Sequence, residues 1–199
     1  IEYKGTNKIS STSSDTLSLI KSSGTITFKD TDNGSTLEIQ PNAVTSSKEG
    51  SIGVEANNVI IDGGNFVIQG SNGVNYSEND TSGTSGRNGS SGIRATETII
   101  QNKANVTITG GNGGNGTQGK KGATGKQGAQ TDFPGVKAET GGTGYDGIIG
   151  GTGGHGGNAI DGNVSIDSSA RAVLFKGGTG GKGGKGGTGG TGGRGGACP

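Results

Sequence analysis

The stretch Gly177-Gly178-Thr179-Gly180-Gly181-Lys182-Gly183-Gly184-Lys185-Gly186-Gly187-Thr188-Gly189-Gly190-Thr191-Gly192-Gly193-Arg194-Gly195-Gly196 decides how the rest of this chain is read. Glycine recurs at every third residue without exception, at Gly177, Gly180, Gly183, Gly186, Gly189, Gly192 and Gly195. Three more runs keep that phase: Gly83, Gly86, Gly89, Gly92; then Gly110, Gly113, Gly116, Gly119, Gly122, Gly125, Gly128; then Gly141, Gly144, Gly147, Gly150, Gly153, Gly156. A strict triplet phase predicts a left-handed helix of three residues per turn, rising about 3.1 Å per residue, with glycine along one edge where a neighbouring backbone comes close. Collagen is excluded because Pro41, Pro134 and Pro199 are the only prolines and none lies inside a triplet. Side-by-side polyglycine II strands exchanging N–H···O=C bonds meet the demand that buried backbone groups be paired.

The number of glycine edges gives an expected order of burial. Residues 177–196 read Gly-Gly-X, which predicts an interior strand; 116–130 keep one glycine per triplet, which predicts a peripheral one; and 141–158 are intermediate. On this reading Gly186 is a packed position and Thr188 is not. Pro134-Gly135 is a turn signal that brings the second run back as the third. The arms are expected over 83–92, 110–130, 141–158 and 177–197.

Between the runs lie short Ile- and Val-rich segments with alternating character, at Leu17–Ile20, Thr25–Lys29, Thr36–Gln40, Val59–Asp62, Phe66–Gln69, Thr98–Gln101, Asn105–Thr109, Val164–Asp167 and Ala172–Lys176. None sustains a helical period, and Gly and Asn punctuate them. Residues 52–70, 92–110 and 158–177 overlay as copies of one unit: an apolar start, a strand, a turn, a second strand and a glycine exit. Units so small must stack to bury an apolar face. The expected fold class is therefore all-β: short β-solenoid rungs with an inserted polyglycine II bundle and little or no α-helix. Residues 1–109 form the solenoid-like region with its short arm at 83–92. Residues 110–199 form the later arms around one more rung at 159–176, the whole being one continuous structural unit. Alternation leaves an antiparallel sandwich of hairpins open as the other pairing.

Composition limits function. Forty-eight glycines, 25% apolar residues and 4% aromatics leave little for a conventional side-chain core. Such a composition also suits disorder, against which the triplet phase argues. The net charge of +1 gives no case for nucleic acid or an anionic membrane, and no apolar run reaches transmembrane length. The single Cys198 excludes an internal disulfide. With no methionine anywhere, the chain reads as a processed or excised segment.

Catalytic and ligand chemistry is sparse. His155, the only histidine, lies in a glycine triplet without nucleophile or metal partners. Gly110-Gly111-Asn112-Gly113-Gly114 lacks the following helix that a phosphate loop needs. Asp30, Asp32, Asp62, Asp161 and Asp167 sit at strand ends, where turn capping competes with calcium binding. No cofactor is expected and no enzymatic activity. Asn33, Asn75, Asn79, Asn88 and Asn115 are possible glycosylation acceptors, with Asn105 and Asn163 less accessible at strand starts.

The Ile/Val–Asn/Gly rungs resemble right-handed parallel β-helix proteins of bacterial cell surfaces. The Gly-Gly-X runs are similar to polyglycine-II sandwich proteins, among them the tail-fibre adhesins of T-even-like phages and the glycine-rich antifreeze proteins of springtails. The resemblance implies an extracellular or cell-surface structural or adhesive protein that self-associates into a fibre or oligomer. The alternative it implies is a receptor- or polysaccharide-binding adhesin acting through loop tips, here Phe133, Pro134, Gly135 and Val136; a third is ice binding. The β rungs depart from both polyglycine families and weigh most against the antifreeze comparison.

Overall fold

In a computed structural model the chain is described over residues 1–11, 18–42, 50–76, 83–129 and 139–196. Phe133–Val136, Asn79 and Cys198 lie outside the described residues, as does Leu17 at the head of one expected strand. The described chain is all-β without helix and divides into two compact units. One unit comprises Ile1–Asn75, Gly86–Asn115 and Gly153–Lys182; the other comprises Tyr76–Ser85, Gly116–Thr152 and Gly183–Pro199.

The first unit holds every strand: β1 (Glu2–Tyr3), β2 (Thr6–Ser10), β3 (Ser18–Lys21), β4 (Thr25–Asp30), β5 (Thr36–Gln40), β6 (Ile52–Asp62), β7 (Asn65–Gln69), β8 (Ile93–Gln101), β9 (Asn105–Thr109), β10 (Ile160–Ile166) and β11 (Ala172–Lys176). They form two sheets, ordered β1-β4-β6-β8-β10, with β3 also on β6, and β11-β9-β7-β5-β2. Every pairing is parallel, which decides against the antiparallel hairpin alternative. From β4 onward the chain alternates between the sheets, crossing through tight turns such as Gly63-Gly64. Both glycines there have positive φ, and a Cβ on Gly64 would lie 2.5 Å from the Tyr3 hydroxyl oxygen.

Each strand of the second sheet except β11 is joined to the next strand of the first by a longer excursion than the one before, residues 11–17, 41–51, 70–92 and 110–159 in turn. Two strands stand where the sequence marks none: β1 and β2 precede the first expected segment at Leu17–Ile20, and Glu2-Tyr3 and Thr6–Ser10 carry too little apolar alternation to register as strands.

In-register parallel pairing stacks like on like. Leu37, Phe66 and Val106 form one inward column, Ile39, Ile68 and Ile108 a second, and Phe28, Ile61 and Ile100 a third, all buried. Phe28 of the first sheet meets Phe66 of the second with ring centroids 4.8 Å apart. Tyr3 lies 6.5 Å from Phe66 and donates to the Gly63 carbonyl at 3.0 Å, covering one end of the core.

One inward column breaks the rule. Thr98 stands between Val59 and Val164, and its buried Oγ1 has no hydrogen-bond partner. An unpaired buried hydroxyl costs about 1–3 kcal/mol, so Thr98→Val, nearly isosteric, is expected to raise stability by about 1 kcal/mol in denaturant titration.

Burial, helped by the nearby Asp30 and Asp62 carboxylates, pushes the Tyr3 phenol up to about 12. A folded-state pKa above the unfolded value of about 10 contributes stability that is present below pH ~10 and lost as pH rises through the folded value. Stability should therefore fall between pH 10 and 12 more steeply in the native protein than in Tyr3→Phe, as read from thermal melts across that range.

Candidate functional site

Regular backbone bonding among the glycine runs is the most distinctive surface-forming feature of the chain. In the second unit the runs 116–129, 139–152 and 183–196 exchange bonds in a closed cycle. Gly119, Gly122, Gly125 and Gly128 donate to the carbonyls of Lys185, Thr188, Thr191 and Arg194 at 2.8–2.9 Å. Gly184, Gly187, Gly190, Gly193 and Gly196 donate to Gly151, Ile148, Tyr145, Gly142 and Glu139. Gly142, Tyr145, Ile148 and Gly151 return the pattern to Lys126, Ala123, Lys120 and Thr117. The register makes 139–152 antiparallel to the other two, which run parallel to each other. Every third N–H is thus satisfied by a neighbouring run.

The first unit bonds the roots of the runs in the same way. Gly110 and Gly113 donate to Lys176 and Thr179, Gly178 and Gly181 to Gly157 and Gly154, and Gly157 and Gly154 to Gly111 and Gly114. Gly111 and Gly114 in turn donate to Ser90 and Arg87.

Glycine is needed wherever a neighbour covers an edge. A Cβ on Gly113, Gly122 or Gly153 would lie 1.9–2.0 Å from a facing carbonyl oxygen. On the edge that begins at Gly157 and Gly154, a Cβ would meet Ser90 and Arg87, and at Gly151 it would meet Thr84. Further along, the same edge carries Ile148 and Tyr145. Likewise Gly111 and Gly114 face Ser71 and Val74, and further along that edge stand Thr117, Lys120, Ala123 and Lys126. The second glycine therefore reflects what lies beside each position, and its loss does not by itself mark a peripheral run.

This reverses the burial order expected from the sequence. Among the described residues the run from Gly110 bonds to residues 84–90, to the third run and to the fourth, whereas the fourth bonds only to the second and third. In the fourth run the packed edge is Gly178, Gly181, Gly184, Gly187, Gly190 and Gly193, each of whose Cβ would lie 1.8–1.9 Å from a carbonyl oxygen of the second run. The expected edge is open: Gly186 and Gly189 have nothing within 4 Å, and Gly177, Gly180, Gly192 and Gly195 nothing nearer than 3.6 Å. Gly186 is consequently not the packed position that edge counting predicts.

Side chains stand on the third edge, and in the first unit they form ladders. The Asn72 carboxamide oxygen accepts from the Asn112 N–H, and that of Asn112 accepts from the N–H and hydroxyl of Thr179. Asn75, Asn115 and Lys182 repeat the pattern. Asn75, Asn88 and Asn115, possible glycosylation acceptors, thus each bind a backbone N–H through the side-chain oxygen, and Asn33 sits exposed in a turn at φ 54°. His155 is exposed, with its N–H bonded to Asn88.

Of the strand-end aspartates, Asp30 and Asp167 act as turn caps, whereas Asp32 and Asp161 pair with Lys4 and Arg94 and Asp62 accepts from the Gln101 and Asn102 side chains. Burial tends to raise the Asp30 carboxyl, but hydrogen bonds from Asp32, Ser35 and Gly34 hold it below its ordinary value. The hydroxyl and N–H of Ser169 likewise lower Asp167. Among the described residues no cluster of three or more His, Cys, Asp or Glu could hold a metal ion.

Charges on the first sheet also form a ladder, which sequence reading missed because its members are scattered along the chain. Lys21, Glu55, Arg94 and Asp161 occupy one register column with alternating sign. Lys21 pairs with Glu55 at 3.0 Å and Arg94 with Asp161 at 3.1 Å. The Ser18 hydroxyl, then Lys21, holds the Glu55 carboxyl below its usual range. These residues line an open groove. No family model, curated protein or solved structure matches the chain.

The glycine edges give a paired test. Gly187→Ala places a methyl against the Lys120 carbonyl and should cost about 1–3 kcal/mol. Gly186→Ala should be neutral or stabilising by up to about 1 kcal/mol. Thermal melts of the two variants measure the difference.

Proposed function

We propose that this chain is an extracellular, non-catalytic structural or adhesive protein, working as a multi-chain assembly at a cell surface or in a fibre. Its finer architecture, on this reading, is a short β-solenoid carrying a polyglycine II bundle. Strictly parallel pairing and alternation between two sheets support the solenoid. The cyclic bonding at three-residue intervals supports the bundle.

The observation that carries the functional reading is the open glycine edge of the fourth run. On other edges of this molecule glycine stands where a neighbouring backbone comes close, a Cβ at Gly113, Gly122 or Gly153 lying 1.9–2.0 Å from a carbonyl oxygen. The Gly177–Gly195 edge keeps glycine throughout although a Cβ would meet nothing within 4 Å at Gly186 and Gly189 and nothing nearer than 3.6 Å at Gly177, Gly180, Gly192 and Gly195, and no backbone bond is seen from the N–H groups of Gly180, Gly186, Gly189, Gly192 or Gly195 among the described residues. An unpaired row of donors without side chains is a template for another backbone, as an exposed sheet edge is. Backbone-built surfaces of this kind display side chains in rows and do not enclose a substrate.

Negative-stain electron microscopy of the purified protein, with light scattering at the same concentration, is expected to show particles of more than one chain, discrete or filamentous. Monomers alone would overturn the reading.

A further inference from the structure

The first unit ends on an uncovered turn of chain. Among the described residues β10 and β11 are the last strands of their sheets, each bonded on one side only. Their inward residues continue the core columns: Ile166 follows Phe28, Ile61 and Ile100, and Phe175 follows Ile39, Ile68 and Ile108. Within the stack those columns are buried, yet Ile166 is 52% exposed and Val164 and Phe175 are each 38% exposed. The core has been cut open at this end, with two unpaired strand edges beside it. At the other end Tyr3 covers the aromatic pair.

We propose that a second copy of this chain covers that end, related by a twofold axis that places β10 on the partner's β11 and β11 on the partner's β10. The proposal rests on the assembly reading above and names the partner and the surface. Its argument is the distribution of charge and direction on the open turn. The excursions leave from the ends of the second-sheet strands and re-enter at the starts of the first-sheet strands; a Cβ on Gly92 would meet both Ala159 and Thr109 there. β10 therefore runs away from that end and β11 runs back towards it. A twofold axis along the same direction exchanges the sheets and sets β10 antiparallel to the partner's β11, a pairing in which both edges gain ladder bonds.

The exposed side chains match in that arrangement. Asp161, at the start of β10, meets the partner's Lys176 at the end of β11. Asp167, just past β10, meets the partner's Arg171, just before β11. Val164 and Ile166 close over the partner's Val173 and Phe175. Acids flank one strand and bases the other, so the twofold arrangement makes four opposite-charge meetings. Head-to-tail stacking on the β1–β2 end instead sets Asp167, in the column of Gln101, Asp62, Lys29 and Glu2, against a second acid.

Charge reversal tests this without touching the core. One chain carries Asp161→Lys with Asp167→Lys, another Arg171→Glu with Lys176→Glu. In sedimentation velocity the unaltered protein is expected as a dimer, each doubly substituted chain as a monomer, and their equimolar mixture as a dimer containing one of each. A second measurement alters charge little and keeps the proposal testable should a reversed chain misfold. Asp167→Cys and Arg171→Cys chains, both with Cys198→Ser, should give a disulfide-linked dimer when mixed and none separately. Multi-chain particles that neither reversal perturbs, or reversed chains that dimerise alone, would overturn this interface and leave the assembly reading standing. An unaltered protein that stays monomeric would overturn both.

Discussion

A backbone N–H bonded to the carbonyl of an adjacent run, once every three residues, is the constraint on which the glycine-rich half of this protein depends. The bond draws two backbones so close that a Cβ on the facing position would overlap an oxygen, as the 1.9 Å approach of a Cβ on Gly187 to the Lys120 carbonyl shows. Glycine there answers to steric exclusion, and flexibility is its cost: an unfolded glycine chain has more entropy to lose than any other. What offsets that loss is one bonded donor in each triplet along whole runs, since the apolar side chains are concentrated on the strands. The β stack meets the same requirement by the other route, pairing every strand in parallel and filling the space between two sheets with stacked Phe, Ile, Leu and Val.

The strands from Ser18 onward were legible because a pleated, half-buried segment leaves a period of two in the sequence. Parallel pairing was not, since alternation records which face of a strand is buried and nothing about the direction of its neighbour. β1 and β2 escaped because Thr6–Ser10 sits at the end of the stack, where Ile9 is the only apolar residue and burial is partial. Turn chemistry at Asp30 and Asp167 was readable from residue type alone, because an Asp oxygen near free N–H groups needs only local chain to act.

Edge counting failed for an instructive reason. It treats glycine content as a property of a run, when in the structure it is a property of the run beside it. Gly151, Gly154 and Gly157 stand where Thr84, Arg87 and Ser90 lie against them, and Gly111 and Gly114 where Ser71 and Val74 do. A sequence-only rule of that form requires comparing runs pairwise, in register. The charge column Lys21–Glu55–Arg94–Asp161 was hidden for a related reason: its spacing along the chain is set by excursions of unequal length, so no fixed period exposes it.

Those excursions, each longer than the last, also restrict how such a chain can change in length. Removing one residue inside the fourth run turns every later position by a third of a helical turn, driving its Lys, Thr and Arg side chains into the carbonyls that glycine now faces. A change of three leaves all edges where they were and shifts only the reach. Because neighbouring runs are bonded position by position, the change must be matched in each of them. Length in this architecture is therefore a quantised trait, altered in matched triplets, and slippage of a repetitive coding sequence in units of three codons is the kind of event that would supply it.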